Sequence, residues 1–149
     1  AKAALEYQYA NIKPKIICEE YLNDKTNLMP NDYKFYCFDG KVDCILVCSN
    51  RQEKLKLMYY DTKWNKLNYV LKKYEPSHEI QKPKCLNEMI EICENLSKEF
   101  CFVRIDLYEI AGKVYFGEMT FSPAAGNVYY NTQEALNYFG NKINLEKLK

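Results

Sequence analysis

Arginine is nearly absent from this chain of 149 residues, in which lysine supplies almost all of the positive charge. Only Arg51 and Arg104 are arginines, and Arg104 lies inside an apolar run. Because the rigid guanidinium fork binds carboxylates and phosphates better than an ammonium group does, Arg104 is a candidate functional residue. The formal net charge of +1 argues against a strongly electrostatic partner, so we expect no nucleic acid among the partners.

Several familiar catalytic motifs are also missing. His78 is the only histidine, and it lies in a polar loop away from any nucleophile motif, so we predict no histidine-based triad. The five glycines are scattered along the chain, which excludes a glycine-rich phosphate loop. No two aspartates are spaced as Asp-x-Asp, which counts against a nucleotide-sugar transferase that uses this metal motif.

The seven cysteines include no Cys-x-x-Cys pair, and most of them lie in apolar runs. A zinc site needs paired spacings, so we interpret these cysteines as reduced thiols that pack as small apolar residues. No apolar run reaches the length of a membrane span, and no signal peptide is visible. These features predict a cytoplasmic protein that has no membrane span.

The chain has the length and composition of one folded domain, with 48% hydrophobic and 28% charged residues. Runs rich in β-formers predict strands at 14–22, a hairpin at 32–50, a strand at 54–61 and a second hairpin at 101–121. Apolar residues at helical spacing predict a helix at 85–100, and a short helix is expected to end at Gly140. This order predicts an α+β fold, a mainly antiparallel sheet with helices packed on one face.

The stretch RIDLYEIAGKVYFGEMT places Arg104, Asp106 and Glu118 on two strands that are joined by a short turn. We predict a three-residue loop at 110–112, because its last residue is a glycine that can adopt the left-handed conformation. Arg104 would then face Glu118, and Asp106 would face Phe116. All three charged groups would point to one side, whereas a two-residue loop would send Glu118 to the opposite face.

Two acids beside an arginine are typical of a site for a divalent cation and a phosphate. Magnesium prefers hard oxygen ligands, usually one or two carboxylates together with substrate phosphates. An arginine stabilises the charge on a transferring phosphoryl group. A cross-strand ion pair between Arg104 and Glu118 is the alternative, and the residue pattern leaves both interpretations open.

The segments IICEEYL, PNDYKFYCFDGK and FVRIDLYEIAGKVYFGEMTFSPAAG together resemble the carboxy-terminal part of TupA-like ATP-grasp proteins, from about Tyr9 onward. That family is associated with teichuronopeptide and cell-surface polysaccharide biosynthesis. The resemblance implies that residues 1–149 form a single domain, the C-terminal ATP-grasp subdomain, and that the N-terminal part of the protein is absent. It implies ATP and magnesium as cofactors.

The activity implied by the resemblance is that of an ATP-dependent carboxylate–amine ligase. ATP phosphorylates a carboxylate, and an amine then attacks the acyl phosphate. The implied partners are a nucleotide, a small carboxylate or acidic-sugar substrate, and the N-terminal remainder of the same protein. A glycosyltransferase of polysaccharide biosynthesis and a non-catalytic interaction domain are the alternatives.

The resemblance also implies roles for the charged hairpin. Asp106 and Glu118 would be the magnesium ligands, and Arg104 would be the catalytic residue that steadies the phosphate or the acyl-phosphate oxyanion. The chain departs from the Glu-x-Asn pattern of many ATP-grasp ligases, because Thr120 stands at the asparagine position. A threonine hydroxyl is a poorer magnesium ligand, so we do not expect Thr120 to bind the metal directly.

The nucleotide contacts implied by the resemblance lie earlier in the chain. The Glu19 side chain and the backbone of Glu20 and Leu22 would contact adenine. Asp32 would bind the ribose hydroxyls, and Lys34 would reach the phosphates. The alternatives are an exposed strand end for the two glutamates, a turn acid for Asp32 and a charged edge-strand residue for Lys34.

Overall fold

The computed structural model describes residues 6–22, 29–50 and 54–144. Within these residues one antiparallel sheet is packed against two α-helices, which confirms the predicted α+β class. The strands are β1 (Asp32–Phe38), β2 (Lys41–Ser49), β3 (Lys56–Asp61), β4 (Lys66–Leu67), β5 (Phe102–Ile110) and β6 (Lys113–Thr120). The helices are α1 (Leu86–Ser97) and α2 (Gln133–Lys142).

The strand order is β4-β3-β2-β1-β5-β6, which places β1 in the interior of the sheet and β6 at one edge. β1 pairs with its chain neighbour β2 and also with β5, which follows only after α1. Side chains on both faces of β1 are buried for most of its length. The interior position of β1 and the edge position of β6 decide how their charged residues are exposed.

The two helices pack on opposite faces of the sheet, whereas the sequence predicted helices on one face. Met89 of α1 packs with Phe35 and Ile105, which lie on one face of β1 and β5. Phe139 of α2 packs on the other face, and its ring stacks on Tyr36 with the ring centroids 5.0 Å apart. The helical pattern identifies the apolar side of each helix, but it does not say which face of the sheet that side covers.

The first hairpin and both helices form close to where they were predicted. Asp39 and Gly40 form a two-residue turn with positive φ values of 48° and 77°, as a type I′ turn requires. Helix α1 ends at Ser97, and the side chain of Leu96 is 41% exposed, so the predicted apolar stripe is shorter than expected. Helix α2 continues through Gly140 to Lys142, so the predicted end of this helix is wrong.

The strand predicted at 14–22 is not present, because this segment is irregular in the structure. Ile16 is fully exposed and Ile17 is 76% exposed. A strand needs a neighbouring backbone to satisfy its N–H and C=O groups, and the described residues provide none for this segment. An apolar run after a proline was therefore insufficient to predict a strand.

All seven cysteines are free thiols, in agreement with the interpretation from the sequence. Four of them are buried in the two apolar clusters of the fold: Cys37, Cys44, Cys48 and Cys93. In the part of the chain that the structure describes, neither α-helix has the length and apolarity needed to cross a membrane.

Candidate functional site

The turn between β5 and β6 has two residues instead of the predicted three. Ile110 pairs with Lys113, so that Ala111 and Gly112 alone form the loop. Their φ values of 52° and 75° are both positive, as in a type I′ turn. The predicted loop is wrong because Ile110 is buried and remains in the strand. Regular pairing after this turn would place Glu118 on the face opposite to Asp106.

A β-bulge at Gly117 reverses the effect of the short turn. Leu107 pairs with Phe116, whereas Asp106 pairs with Glu118, so Gly117 is an extra residue without a partner in the register. The bulge shifts the rest of β6 by one residue and brings Glu118 to the face of Asp106. The predicted pairing of Asp106 with Phe116 is therefore wrong, although the predicted convergence of the charges is observed.

Arg104 joins the charged groups of β5 and β6. Its Nε and Nη2 atoms donate hydrogen bonds to Oδ1 and Oδ2 of Asp106, at 2.7 and 2.8 Å. Nη2 also donates to Oε1 of Glu118 at 2.8 Å, although Arg104 pairs in register with Thr120 rather than with Glu118 as predicted. The Thr120 hydroxyl donates to the same Oε1 atom at 2.8 Å. The cross-strand ion pair expected as the alternative is thus present.

Asp32 and Lys34 of β1 complete a cluster of charged residues on this face. Lys34 is the register partner of Asp106, and its Nζ atom contacts Oδ2 of Asp106 and lies 2.7 Å from Oδ2 of Asp32. Asp32 is the first residue of β1 and is only 2% exposed, so it is not a turn acid on the surface. Lys34 lies on an interior strand, which excludes the edge-strand interpretation.

We call these five residues the carboxylate cluster: Asp32, Lys34, Arg104, Asp106 and Glu118. Three carboxylates face two cations, so the cluster has one excess negative charge when all five side chains are ionised. A buried charge without a partner is strongly destabilising. Every member of the cluster has an oppositely charged neighbour, so this cost is avoided.

The pKa values follow from burial and from these ion pairs. Burial raises the pKa of Asp106 above its ordinary value, and the charges of Arg104 and Lys34 oppose this effect only in part. Burial also acts to raise the pKa of Glu118, but the hydrogen bond from Thr120 and the charge of Arg104 hold it below its ordinary value. Both cations stay charged.

The pKa values of the two cations, Lys34 and Arg104, are both raised by the neighbouring carboxylates. Burial acts to lower the pKa of Lys34, but the nearby carboxylates of Asp32 and Asp106 outweigh it and raise that pKa. Burial likewise acts to lower the pKa of Arg104, and the carboxylate of Asp106 raises it well above its ordinary value.

The acids of the hairpin fit the ligand requirements of a magnesium ion that also binds phosphate. Asp106 and Glu118 are register partners on one face, and the Glu118 side chain is 60% exposed, which leaves this side of the pair open. Magnesium is commonly held by one or two carboxylates and completed by phosphates and water. The described residues, those of the carboxylate cluster included, contain no group of three or more His, Cys, Asp or Glu side chains arranged for a metal ion, so a site here would rest on these two carboxylates.

A pocket of about 290 Å³ adjoins the carboxylate cluster. It is lined by Glu19, Glu20, Tyr21, Leu22, Met29, Pro30 and Tyr108. Tyr108 is the register partner of Asp32 and follows Asp106 by two residues, so the three side chains lie on the same face of the sheet. The structure therefore gathers the predicted adenine residues Glu19, Glu20 and Leu22 at one pocket, on an exposed irregular segment rather than at a strand end.

The sequence interpretation missed two residues that shape this site. Gly117 makes the bulge, and a glycine inside a strand pattern is a recognised signal for one. Tyr108 forms a wall of the pocket, and the two-residue period from Asp106 places it on the charged face. Neither residue carries a charge, which is why a search for charged side chains passed over them.

The contact between these two residues is close. A Cβ atom added to Gly117 would lie 2.9 Å from the backbone oxygen of Asp106 and 3.1 Å from Cε2 of Tyr108. The first distance is shorter than real Cβ atoms show, and its partner is backbone that cannot turn away. The glycine is therefore a steric requirement of the bulge.

Comparison with known proteins identifies the family. The model of the TupA-like ATP-grasp family matches residues 1–144. The chain belongs to the TupA-like ATP-grasp family, which confirms the resemblance found in the sequence. No curated protein matches the chain.

The solved structures that match include complexes of the ATP-grasp ligase PsnB. One contains a minimal precursor, Mg and ADP; it shares 16% identity over 78% of this chain and 34% of its own, with a TM-score of 0.39. Another contains the minimal precursor and shares 16% identity over 77% of this chain and 36% of its own, with a TM-score of 0.37. This chain therefore spans about a third of the length of these ligase chains.

Proposed function

We propose that this chain is the C-terminal, ATP- and magnesium-binding half of an ATP-grasp carboxylate–amine ligase that acts in cell-surface polysaccharide biosynthesis. Membership of the TupA-like ATP-grasp family supports the proposal. The observation that carries it is the position of the pocket directly beside the carboxylate cluster, with Tyr108 as their shared boundary. A nucleotide that occupied the pocket would have its phosphates near the acids and cations of β1, β5 and β6.

Magnesium would be held by Asp106 and Glu118 and would neutralise phosphate charge when bound. Arg104 already bridges these two carboxylates, so its guanidinium is held beside any phosphate that approaches them. We assign Arg104 the role of steadying the transferring phosphoryl group and then the oxyanion of the acyl phosphate. The Thr120 hydroxyl donates a hydrogen bond to Glu118, which supports a role for Thr120 in orienting this carboxylate rather than in binding the metal.

The nucleotide itself would lie against the pocket and β1. Glu19, Glu20 and Leu22 line the pocket and are proposed to contact the base. Asp32 is paired with Tyr108 of the pocket wall, a position suited to the ribose hydroxyls. Lys34 follows Asp32 on the same face and is proposed to contact the phosphates.

The proposed reaction joins a carboxylate to an amine through an acyl phosphate. A small carboxylate or acidic sugar accepts the γ-phosphoryl group, and the amine displaces phosphate from the acyl group. We propose that further parts of a longer protein, N-terminal to this chain, complete the cleft and bind the acceptor. The free thiols support a reducing compartment, and we propose the cytoplasm.

The test compares nucleotide binding and turnover by the full-length protein with those of the variants Asp106→Asn and Glu118→Gln. Each variant removes one carboxylate charge from the cluster, and we expect each to weaken binding of magnesium-ADP at least about tenfold. The matched control is Glu94→Gln, which removes a partly exposed acid of α1 that pairs with Lys41 and lies outside the carboxylate cluster. Isothermal titration calorimetry and ATP consumption measure the two quantities.

Other outcomes of the same titration contradict the proposal in distinct ways. Binding of nucleotide sugars without dependence on ATP would indicate a glycosyltransferase. Absence of all nucleotide binding by the full-length protein would indicate a non-catalytic interaction domain. Unchanged binding in both variants would remove Asp106 and Glu118 from the site.

A further inference from the structure

Lys34 contacts two buried carboxylates at the same time. Its Nζ atom lies 2.7 Å from Oδ2 of Asp32 and contacts Oδ2 of Asp106, and each of these side chains is only 3% exposed. We propose that Lys34 is an internal counter-cation, which holds Asp32 and Asp106 when no divalent cation is bound and releases Asp106 when one binds. This inference rests on the proposed magnesium site.

Buried carboxylates explain why such a counter-cation is needed. Asp32 and Asp106 are each 2% exposed and lie on the same face of adjacent strands. Two like charges in a site with little water repel each other and lose their hydration, so a cation between them stabilises both. A metal-free protein that lacked Lys34 would have three carboxylates facing Arg104 alone.

The chemistry of the two cations indicates which one moves. Arg104 binds Asp106 through two parallel hydrogen bonds from a planar group, and it also holds Glu118. Such a fork is fixed by several contacts at once. Lys34 is a point charge on a flexible stem, and 16% of its side chain is exposed. An incoming divalent cation would therefore replace Lys34 at Asp106 and leave Arg104 in place.

The displaced ammonium group would remain beside the site. The backbone of Lys34 is fixed because it belongs to an interior strand of the sheet. The flexible side chain can still turn its ammonium group from Asp106 toward a bound phosphate. The same lysine would neutralise the carboxylates before the metal binds and would contact the phosphates afterwards. This order of events makes Lys34 a competitor of magnesium and a positioning residue for the nucleotide.

The variant Lys34→Met tests the competition, and Lys66→Met is its matched control. Lys66 also forms an ion pair, with Glu75 at 2.7 Å, but it lies on β4 at the far end of the sheet. Without magnesium we expect Lys34→Met to melt at a lower temperature than the wild type, and this difference should close at saturating magnesium. Removing a positive charge next to the site should tighten magnesium binding, measured by calorimetry, about tenfold or more.

A purely structural role for Lys34 predicts a different result. The variant would then melt at a lower temperature at every magnesium concentration, and its magnesium affinity would be unchanged or weaker. Either observation overturns the proposal. Lys66→Met should change neither the magnesium affinity nor the magnesium dependence of the melting temperature.

Lysine footprinting of the wild-type protein provides a second measurement that does not depend on the variant folding. Acetylation of each lysine, followed by mass spectrometry, is compared with and without magnesium ions alone. We expect Lys34 to become several-fold more reactive when magnesium is added, and Lys66 to stay unchanged. An unchanged Lys34 in a protein that binds magnesium-ADP overturns the counter-cation role and leaves the proposed function standing. A protein that binds neither magnesium nor nucleotide contradicts both.

Discussion

At the scale of single residues, the arrangement of the charged side chains depends on an uncharged residue, Gly117. Arg104 and Asp106 lie on the same strand, but the ion pair of Arg104 with Glu118 exists only because Gly117 adds a residue to β6 and turns Glu118 to the charged face. An ion pair and a metal site are compatible here. The arginine holds both carboxylates on one side, and the exposed part of Glu118 stays open to solvent.

We predict that Gly117→Ala destabilises the protein and weakens nucleotide binding together. The added Cβ would lie 2.9 Å from the backbone oxygen of Asp106, so the strand pair has to separate or the bulge has to move. We expect a loss of about 1–3 kcal/mol in the free energy of unfolding. Urea denaturation and magnesium-ADP titration are the two measurements.

Gly140→Ala is the matched control for that substitution. Gly140 lies inside α2, and an added Cβ there would meet nothing within 4 Å. Because alanine favours the helix, we expect a gain of about 0.5–1 kcal/mol and no change in nucleotide binding. Equal effects of the two substitutions would contradict the steric role of Gly117.

The sequence identified the charged residues of the site but not the register that joins them. Their unusual position within apolar runs predicted Arg104, Asp106 and Glu118, and this prediction needs only the residue types along the chain. The turn length was predicted wrongly because Ile110 is held in the strand by burial, a property of the whole fold. The bulge at Gly117 compensated for this error; a glycine within a strand pattern is a signal for a bulge, but the strand pairing shows how the bulge shifts the register.

At the scale of elements, α2 closes the face of the sheet that also carries the carboxylate cluster. Phe139 packs among the aromatic rings of that face. Two polar contacts secure the far end of the helix: the Tyr138 hydroxyl donates to Oδ1 of Asp43 at 3.0 Å, and Lys142 pairs with the same carboxylate. These contacts link α2 to β2.

The ion pair of Lys142 with Asp43 is expected to make the protein less stable at alkaline pH. Its hydrogen bonds to Asp43 and Tyr138 raise the pKa of Lys142 above its ordinary value of 10.5. A lysine whose pKa is raised by folding contributes its full stabilisation below its ordinary pKa and loses it as the pH rises through the higher, folded value. The side chain is 37% exposed, so screening limits the contribution to less than about 1 kcal/mol.

Urea denaturation of the wild type and of Lys142→Met at pH 8, 10 and 11.5 measures this contribution. We expect the wild type to be more stable at pH 8 and 10, and the difference to narrow at pH 11.5. Effects of other lysines and tyrosines cancel in the comparison. A difference that does not depend on pH would assign the stabilisation to packing of the Lys142 side chain over the Tyr138 ring, whose centroid lies 5.0 Å from Nζ.

Elements with local signals were predictable, and elements that need a distant partner were not. The Asp39-Gly40 turn and the apolar stripe of α1 are properties of a few adjacent residues; the turn forms as predicted, and the stripe forms over a shorter length. Residues 14–22 have the composition of a strand but no pairing neighbour among the described residues. The face covered by α2 depends on the aromatic residues of β1 and β3, which the helix sequence does not contain.

At the scale of the whole molecule, the charged face lies beside an open pocket. The carboxylate cluster lies where β1, β5 and β6 meet, beside an open pocket of about 290 Å³. This volume is near the lower limit of roughly 300–1,000 Å³ for small-molecule sites. Both cations of the cluster, Lys34 and Arg104, are already engaged by carboxylates. The cluster therefore offers little free positive charge to a triphosphate.

We predict that the 149-residue chain alone binds ATP weakly and catalyses no turnover. The excess negative charge of the cluster repels the triphosphate until magnesium is bound, and the described residues supply no glycine-rich loop to cradle the phosphates. We expect a dissociation constant for magnesium-ADP of about 1 mM, which corresponds to roughly −4 kcal/mol. Calorimetry measures the affinity, and release of inorganic phosphate measures turnover. Magnesium titrated first should strengthen nucleotide binding, because it cancels the charge that opposes it, and Asp106→Asn should abolish this enhancement. Robust ATP turnover by this chain would contradict the prediction, since a single wall would then be sufficient for catalysis.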